Sequence, residues 1–484
     1  MPRLFPDVQV ASDGCSPSCQ CEHDPCSFTV SLSVDLASVV GSLAPGATVA
    51  LVAGTFAGGS CGWNVPSVYG ADRRPITVRG AQGASLTTVV DCDNAGPVIN
   101  NSLIGTHLRL ERIHFRQSQR SGGSGGVLRA ELGSRVVIMG CRFTACASDQ
   151  MGGAIFVSNS TLVVSKSHFE ENSAQESGGS LAVVAASNAS VTDSIITRCT
   201  AADGGGVYVR MSRMAMRAML LSYNSAIVNK GGAALVDDKS ILNASLTTVA
   251  HNYATRGGGI MIQFSSVLGL AGGVRVVENL AVLYGAGIYN LVGSTIDCSN
   301  NVEIDSNRAG ALAGGIMTWY SKSVILSGGV SISSNEVFGR ANVNGNGGGI
   351  FGALGVVIEL HEGVRISNNL AKYGAGGLSL QDSGTVLLAR GATFEHNRAL
   401  SSDADGVMLS GGGGGGLGLS GASALLHGCM FRNNSAPTGA GLYDDGLLPQ
   451  QGLLVIEEST FISNVAYAGN GAGLICGRVT VPKP

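Results

Sequence analysis

The most regular feature of the chain is a large apolar residue followed three positions later by a polar one, most often asparagine. Phe169-Glu170-Glu171-Asn172 is a typical copy, and a Gly-rich doublet with a small apolar run, such as Gly152-Gly153-Ala154-Ile155, lies between copies. The polar position recurs at intervals of about 29 residues, which is the mark of a repeat architecture. Its thirteen copies are Ser118, Cys146, Asn172, Cys199, Asn224, Asn252, Asn279, Asn307, Asn335, Asn369, Asn397, Asn434 and Asn464.

A period of this length is too short for the helix pairs of common helical repeats and favours a coil built from strands. Short β-branched runs separated by Gly, Ser and Asn support this interpretation. Such runs are Leu162-Val163-Val164, Val191-Thr192, Leu246-Thr247-Thr248-Val249 and Val324-Ile325-Leu326. The sequence therefore predicts an all-β fold: a single-stranded right-handed parallel β-helix, or solenoid. We expect about 13 recognisable coils, with further N-terminal coils and a short capping helix.

Each repeated position has a physical role in such a coil. The Phe or Ile points inward and stacks on its equivalents above and below. The Asn is expected at a bend, in the left-handed conformation, with its amide bonded to the same amide in the next coil. We predict that Asn252→Ala costs about 1 kcal/mol or more through lost hydrogen bonds. The predicted structural ladder consists of Asn172, Asn224, Asn252, Asn279, Asn307, Asn335, Asn369, Asn397, Asn434 and Asn464.

The start of the solenoid carries a stretch without charged residues, from Leu36 to Gly58. Pro45 and several glycines within it favour a short helix and a strand over a membrane span. Asp35 is the expected N-cap of that helix, and Ala47–Val52 is the expected first strand. The predicted organisation is a Cys-rich segment over 1–30 and a β-helix over 31–484, with the cap and first strand in 31–60 and the repeats in 112–475.

The two ends of the chain show neither an export signal nor a terminal cap. Met1–Asp7 lacks the apolar region of a signal peptide, which predicts either a fragment or export by another kind of signal. No capping element is visible after Leu474, so we expect end-to-end continuation into a larger chain.

Composition excludes several classes of protein. A net charge of −3 with 13% charged residues provides no basic surface for nucleic acid. Six of the twelve cysteines precede residue 93, which predicts disulfides in an oxidising compartment. A zinc site is the competing interpretation of the first few, although their spacing matches no standard zinc module. The candidate zinc ligands are Cys15, Cys19, Cys21, His23 and Cys26. Five N-glycosylation sequons, which are compatible with secretion, start at Asn100, Asn159, Asn188, Asn243 and Asn433.

The pairing of Gly152-Gly153-Ala154-Ile155 with Phe169-Glu170-Glu171-Asn172 resembles the repeat of the chlamydial polymorphic outer-membrane proteins. Looser copies run from about residue 112 to 475. The resemblance implies a β-helix of the pectin-lyase-like kind that is secreted or exposed at the cell surface and acts in adhesion. Similar repeats also occur in large extracellular proteins of algae and protists.

Catalytic groups are not evident along the chain. The acidic pairs Asp237-Asp238 and Asp444-Asp445 lie about seven coils apart, over 30 Å at strand spacing, and the eight histidines are scattered. We therefore expect no enzymatic activity and no catalytic, cofactor-binding or metal-binding residues. The expected function is an extracellular structural or adhesive scaffold whose partners are glycans or cell-surface proteins.

The alternative is a carbohydrate-active enzyme of the pectin-lyase-like fold, either a polysaccharide lyase or a glycoside hydrolase. A structure distinguishes the two. An enzyme should bring at least three Asp, Glu, Arg, Lys or His side chains together in a groove on one parallel sheet. A scaffold should instead show a wall rich in Ser, Thr and Asn, with loops to one side.

Overall fold

The protein is an all-β, right-handed parallel β-solenoid of about 14 turns with almost no helix, as predicted. A computed structural model describes residues 8–10, 27–33, 35–66, 74–83, 87–339, 345–400, 413–445, 452–468 and 471–476. Two compact units divide the chain, Met1–Leu220 and Leu221–Pro484.

Each coil runs through four short strands, which stack on their equivalents to form four sheets that we call A, B, C and D in chain order. One coil of the first unit consists of His107–Glu111 in sheet A, Ile113–Arg116 in B, Gln119–Arg120 in C and Leu128–Glu131 in D. In sheet B of this unit, neighbouring coils pair in parallel without a register shift, so that Phe143 lies between Phe115 and Phe169. Equivalent residues of successive coils therefore form columns.

The strands of the first unit are as follows. Sheet A contains Val8–Val10, Ser27–Val30, Thr48–Leu51, Ile76–Arg79, His107–Glu111, Arg135–Met139, Thr161–Ser165, Asn188–Thr192 and Arg213–Arg217. Sheet B contains Gly54–Ala57, Thr88–Asp91, Ile113–Arg116, Arg142–Thr144, His168–Glu170 and Ile195–Thr197. Sheet C contains Gln119–Arg120, Ala147–Ser148, Ser173–Ala174 and Thr200–Ala201, and sheet D contains Leu103–Ile104, Leu128–Glu131, Ile155–Ser158, Leu181–Val184 and Val207–Arg210.

The second unit repeats the pattern, and the strand Leu220–Ser222 crosses the boundary. Sheet A contains Ile241–Ser245, Val267–Ala271, Thr295–Ser299, Ser323–Leu326, Val357–Leu360, Val386–Arg390, Ser423–His427 and Leu454–Glu457. Sheet B contains Thr248–Ala250, Arg275–Val277, Glu303–Asp305, Ser331–Ser333, Arg365–Ser367, Thr393–Glu395, Met430–Arg432 and Thr460–Ile462. Sheet C contains Ser225–Lys230, Tyr253–Arg256, Leu280–Tyr284, Arg308–Ala309, Glu336–Val337, Leu370–Ala371, Arg398–Ala399, Ser435–Ala436 and Val465–Ala466. Sheet D contains Ala234–Asp237, Ile260–Ile262, Ile288–Leu291, Ile316–Trp319, Ile350–Ala353, Leu378–Gln381, Leu417–Ser420, Leu442–Asp444 and Leu474–Cys476.

The apolar position of the repeat builds the core of each unit. Phe115, Phe143 and Phe169 are fully buried in the first unit, and the Phe143 and Phe169 rings stack with centroids 4.7 Å apart. In the second unit the centroids of Phe394 and Phe431 are 4.6 Å apart. This distance is close to the spacing of neighbouring strands, so the rings follow the hydrogen-bonded ladder of the backbone.

The asparagines of the second unit form one continuous buried column of nine side chains. Asn252 is typical: its Nδ2 donates to Asn279 Oδ1 at 2.9 Å and to Leu221 O at 3.0 Å. Its own Oδ1 accepts from the backbone N–H and the Nδ2 of Asn224. In the first unit, Asn172 has cysteine neighbours instead, and its Oδ1 accepts from the backbone N–H of Cys146 at 2.9 Å.

The expected left-handed conformation of these asparagines is wrong. The residue immediately before each one adopts it, as at Glu171 (φ 56°), His251 (φ 55°) and Glu278 (φ 54°). The preceding residue makes the bend with its side chain outward, and the asparagine is thereby free to point into the core. A related correction concerns Leu246, which has φ 49° and forms the bend after sheet A instead of belonging to a strand.

The Gly-rich doublet allows the coils to approach closely between sheets C and D. Gly152 has φ 68°, in the left-handed region that favours glycine. A Cβ atom on Gly153 would lie 2.1 Å from the carbonyl oxygen of Gly179 in the next coil. Any larger residue at Gly153 would therefore push the backbones of two coils apart.

The helix at the start of the solenoid spans Leu36–Gly41 and is capped by Asp35, as predicted. The expected first strand is wrong, because Val8–Val10 and Ser27–Val30 precede it, and Ser27–Val30 pairs in parallel with Thr48–Leu51. Sheet A thus extends beyond the helix on its N-terminal side. Within the part of the chain that the structure describes, no helix combines the length and the apolar character needed to cross a membrane.

We expect Asp35→Ala to destabilise the N-terminal end of the solenoid by about 1 kcal/mol. The carboxylate accepts hydrogen bonds from the N–H groups of Ala37 (3.1 Å) and Ser38 (3.3 Å), which the substitution leaves without a partner. Chemical denaturation measures the loss. Asp35→Ser, which retains a capping oxygen, is the matched control, and equal losses in both variants would contradict the capping role.

One disulfide joins Cys61 and Cys92, as the cysteine usage suggested. Cys15, Cys19, Cys21, His23 and Cys26, the competing zinc candidates, lie outside the described residues. Among the cysteines that are described, Cys141, Cys146, Cys199, Cys298 and Cys429 are buried free thiols. Disulfides are typical of proteins outside the reducing cytosol.

Candidate active site

The outer face of sheet B in the first unit carries a column of basic and imidazole side chains. His114, Arg142 and His168 occupy equivalent positions in three successive coils, each directly before a buried phenylalanine. Side chains alternate along a strand. The same backbone that turns the ring of Phe143 inward therefore turns Arg142 outward, and the register places the two histidines on either side of it.

A second outward column follows two residues later and contains Asp91, Arg116, Thr144 and Glu170. Its carboxylates form ion pairs with the nearby guanidinium groups. Arg116 Nη2 lies 2.6 Å from Asp91 Oδ2, and Arg142 Nη2 lies 2.5 Å from Glu170 Oε2. The other oxygen of Glu170 contacts Arg198 Nη1 at 2.5 Å. The two columns together form a dense polar surface on one sheet.

His114 lies in a cleft of about 320 Å³. One wall comes from the preceding coil, the bends after sheet A form the rim, and Arg142 lies beside the imidazole. Nε2 of His114 is 3.0 Å from Thr144 Oγ1, which fixes the orientation of the ring. The lining residues are Ala81, Gly83, Thr87, Arg112, Ile113, His114, Gly140 and Arg142.

The surroundings of His114 keep its imidazole uncharged. Burial lowers the pKa of His114 from 6.5 to about 4, and the positive charges of Arg142 and Arg116 act in the same direction. Burial also lowers the pKa of His168. Hydrogen bonding from Arg142 lowers the pKa of Glu170. At neutral pH the site therefore combines neutral imidazoles, guanidinium cations and an ionised carboxylate.

His168 has a buried nitrogen without a partner. Its Nε2 makes no hydrogen bond and lies 4.0 Å from Glu170 Oε2. A buried polar atom left unpaired is costly in a folded protein, so it is a position where a bound molecule gains a hydrogen bond. His168 thus offers an unpaired nitrogen on one side of Arg142, whereas His114 on the other side bonds to Thr144 through Nε2.

The histidines are scattered along the chain, as expected, but the fold places His114 and His168 in one column on either side of Arg142. The two histidines lie almost two repeats apart in the sequence, and the stacking of the coils brings them close together on sheet B. The repeat itself indicates this arrangement, because the residues directly before Phe115, Phe143 and Phe169 occupy equivalent positions and must form one column. The expected separation of the acidic pairs in the second unit is correct, since seven strand pairings of sheet D lie between Leu235, next to Asp237, and Tyr443.

The predicted asparagine ladder lies in the interior and takes no part in this surface. Within the described ranges, no group of three or more His, Cys, Asp or Glu side chains is arranged to hold a metal ion. The arginines at this site are each ion-paired: Arg112 with Glu111, Arg116 with Asp91, and Arg142 and Arg198 with Glu170.

Comparison with known proteins supports the fold. The family model described as "Right handed beta helix region" matches residues 76–252. No curated protein matches the chain. The specific likeness to the polymorphic outer-membrane proteins stays a prediction.

Solved structures of two enzymes have a similar fold. A double mutant of the periplasmic alginate epimerase AlgG is 12% identical, with 90% of this chain and 86% of that chain covered and a TM-score of 0.37. A mutant of the same epimerase is 14% identical over 88% and 95% of the two chains, with a TM-score of 0.39. A mannuronic acid specific polysaccharide family 6 lyase from human gut microbiota is 12% identical over 89% and 91%, with a TM-score of 0.33.

The expectation of no enzymatic activity is contradicted by the names of these proteins, an epimerase and a lyase, whereas the likeness itself shows the fold alone. The sequence did not indicate a shared polar surface, because side chains on one face of a solenoid come from successive coils and lie about one repeat apart in the chain.

Proposed function

We propose that this protein cleaves an acidic polysaccharide by β-elimination, with His114 as the base that removes the proton from C5 of a uronic acid residue. The observation that carries the proposal is the uncharged imidazole of His114 in a cleft beside the Arg142 guanidinium. Three side chains of the kind expected of an enzyme, Arg112, His114 and Arg142, line this cleft, which supports the enzyme over the scaffold.

A base must be unprotonated and within reach of its proton. The pKa of about 4 leaves His114 uncharged at neutral pH, and its ring borders the cleft. The proton at C5 is acidic only when the neighbouring carboxylate is neutralised, because its removal adds negative charge to a group that is already an anion. The Arg142 guanidinium next to the base, held in place by Glu170, donates its remaining N–H groups to that carboxylate and stabilises the charge that develops.

The elimination needs two bonds to break. His114 takes the C5 proton, and the electron pair of that bond moves into the carboxylate to form a dianionic intermediate held by Arg142. The pair then forms the C4=C5 double bond while the C4–O4 bond breaks. The departing glycosidic oxygen takes a proton from the imidazolium of His114, which returns the base to its neutral form. All groups that take part approach from the single face of sheet B.

A glycoside hydrolase is less consistent with these residues. Hydrolysis requires one carboxylic acid that keeps its proton and donates it to the leaving oxygen. Glu170 is held by two arginines and its pKa is lowered, so it is ionised at neutral pH. Asp91 is paired with Arg116. Both carboxylates hold arginines in place, and Glu170 does not keep the proton that a general acid needs.

Incubation with polygalacturonate and alginate tests the proposal, with the carboxyl-reduced polymers as controls. We expect cleavage of an acidic polymer with the ultraviolet absorbance of a C4=C5 double bond, and no cleavage of the reduced one. New reducing ends without a double bond would indicate hydrolysis, and no cleavage of any acidic polysaccharide would exclude the function. Exchange of the C5 hydrogen with solvent deuterium, without chain cleavage, would contradict the elimination step.

The pH dependence follows from the lowered pKa of His114. We expect the acidic limb of kcat/KM to have an apparent pKa of about 4, instead of one near the ordinary value of 6.5. The same shift affects stability. The unfolded chain binds a proton at His114 below about pH 6.5 and the folded protein only near pH 4, so this contribution to stability falls as the pH is lowered through that window. An acidic limb of kcat/KM with an apparent pKa near the ordinary histidine value of 6.5 would contradict the assignment of His114 as the base.

An extracellular or periplasmic location fits this function, since polymeric uronates occur outside the cytoplasm. The Cys61–Cys92 disulfide supports that location. A glycan is then the partner of this surface in either of the two interpretations weighed from the sequence.

A further inference from the structure

The second unit has a cavity of its own on sheet A, with a volume of about 340 Å³. Its lining combines a carboxylate, an imidazole, a guanidinium and an apolar surface from three successive coils. Glu359, Leu388 and Leu425 are equivalent residues that point outward from neighbouring strands. The lining residues are Glu359, Leu360, His361, Leu388, Ala389, Arg390 and Leu425.

Leu388 and Leu425 form the floor of the cavity. They occupy outward positions of sheet A, and Leu388 remains 38% exposed. Two adjacent leucines on the outside of a soluble protein leave apolar surface in water, which a bound molecule with an apolar face would cover. The pyranose ring offers such a face through its axial C–H groups.

Arg390 is the charged group of the cavity that has no partner. Its side chain makes no hydrogen bond or ion pair with any residue that the structure describes. The neighbouring imidazoles are engaged: His361 Nε2 lies 3.5 Å from Glu359 Oε2, and His427 Nδ1 lies 3.5 Å from Glu457 Oε2. The guanidinium is therefore available for a planar anion, and a carboxylate accepts two parallel hydrogen bonds from it.

We propose that this cavity is a second binding site, which takes one uronic acid residue of an acidic glycan. Arg390 binds the carboxylate, and Leu388 and Leu425 contact the apolar face of the ring. Glu359 accepts hydrogen bonds from the hydroxyl groups of the sugar, and His361 donates a hydrogen bond to them. The choice of a uronic acid over other carboxylated molecules rests on the proposed function, whereas the site itself does not. Its role is to hold the polymer and not to cleave it.

The test measures binding in the full chain with His114→Ala present, so that no turnover occurs. We expect a uronic acid oligomer to shift the methyl resonances of Leu388 and Leu425, and its affinity for this site to fall at least about tenfold in Arg390→Ala. Arg390→Lys should bind with intermediate affinity, because it keeps the charge and loses the bidentate geometry. The carboxyl-reduced oligomer should leave both methyl resonances unchanged.

Arg398→Ala is the matched control, since it removes one exposed arginine of the same unit from sheet C. It should leave the affinity unchanged. Equal affinity in Arg390→Ala and the parent, or methyl shifts with the neutral oligomer alone, would overturn the second site. Failure of the proposed function gives a different result: acidic polymers remain uncleaved by the wild-type protein while the Arg390-dependent binding persists.

Discussion

His114→Ala is expected to lower kcat on the acidic polysaccharide by a factor of about 10² to 10⁴, the usual contribution of a positioned general base. The loss should appear in kcat and kcat/KM together, because the imidazole acts on the proton in the transition state and contributes little to binding of the polymer. The acidic limb near pH 4 should disappear with it. Initial rates of double-bond formation, measured across the pH range, check both expectations.

Arg142→Ala should have an effect of similar size, about 10² to 10³ in kcat, as expected for the loss of one group that stabilises developing charge. His251→Ala is the control, because His251 lies in the second unit, where it stacks on Tyr223 with ring centroids 4.8 Å apart. A His114→Ala variant with the wild-type rate would exclude this residue as the base. Circular dichroism of the same preparations separates lost chemistry from lost folding.

Asn252→Ala is expected to destabilise the second unit by about 3 kcal/mol or more, a larger loss than the sequence indicated. Its side chain is 1% exposed. Removal of the amide takes away the oxygen that accepts from the N–H and Nδ2 of Asn224, and the N–H groups donated to Asn279 Oδ1 and to the carbonyl of Leu221. The bond from the backbone N–H of residue 252 to Asn279 Oδ1 remains. Each buried polar group left unpaired costs about 1 to 3 kcal/mol.

Denaturant unfolding and amide hydrogen exchange measure this loss. The rate of amide hydrogen exchange should rise most in the coils next to Asn252, because each asparagine is hydrogen-bonded to the asparagines of both neighbouring coils. Asn243→Ala is the control for amide removal, since Asn243 lies on the outside of sheet A, and we expect its effect to stay within about 0.5 kcal/mol. Equal effects of the two substitutions would contradict a stabilising role for the buried column.

The cleft of the first unit shows where sequence reasoning stopped. Once Phe115, Phe143 and Phe169 are aligned, the preceding residues His114, Arg142 and His168 must share a column, so this part of the site was predictable. The regular spacing of the repeat points to the buried asparagine instead. The outward residue directly before each phenylalanine varies from coil to coil and therefore gives no repeated signal.

Other features of the site depend on contacts that no repeat encodes. Ala81, Gly83 and Thr87 form a wall of the cleft, yet they precede the recognisable repeats and have no counterpart in the pattern. The bend residues show the same limit. Left-handed backbone was assigned to the asparagine because that residue tolerates it, whereas burial of its amide favoured a bend one residue earlier.

The sequence by itself determined the solenoid, its period, the inward phenylalanines and the residues that share a column, because these follow from strand alternation and from a repeat that is local in the chain. Only the tertiary structure decided that His114 is uncharged, that Glu170 holds two arginines, and that Arg390 in the second unit has no partner among the described residues. Those properties depend on burial and on distances between side chains of different coils. The period fixes which residues are neighbours, and the packing around them fixes their charge.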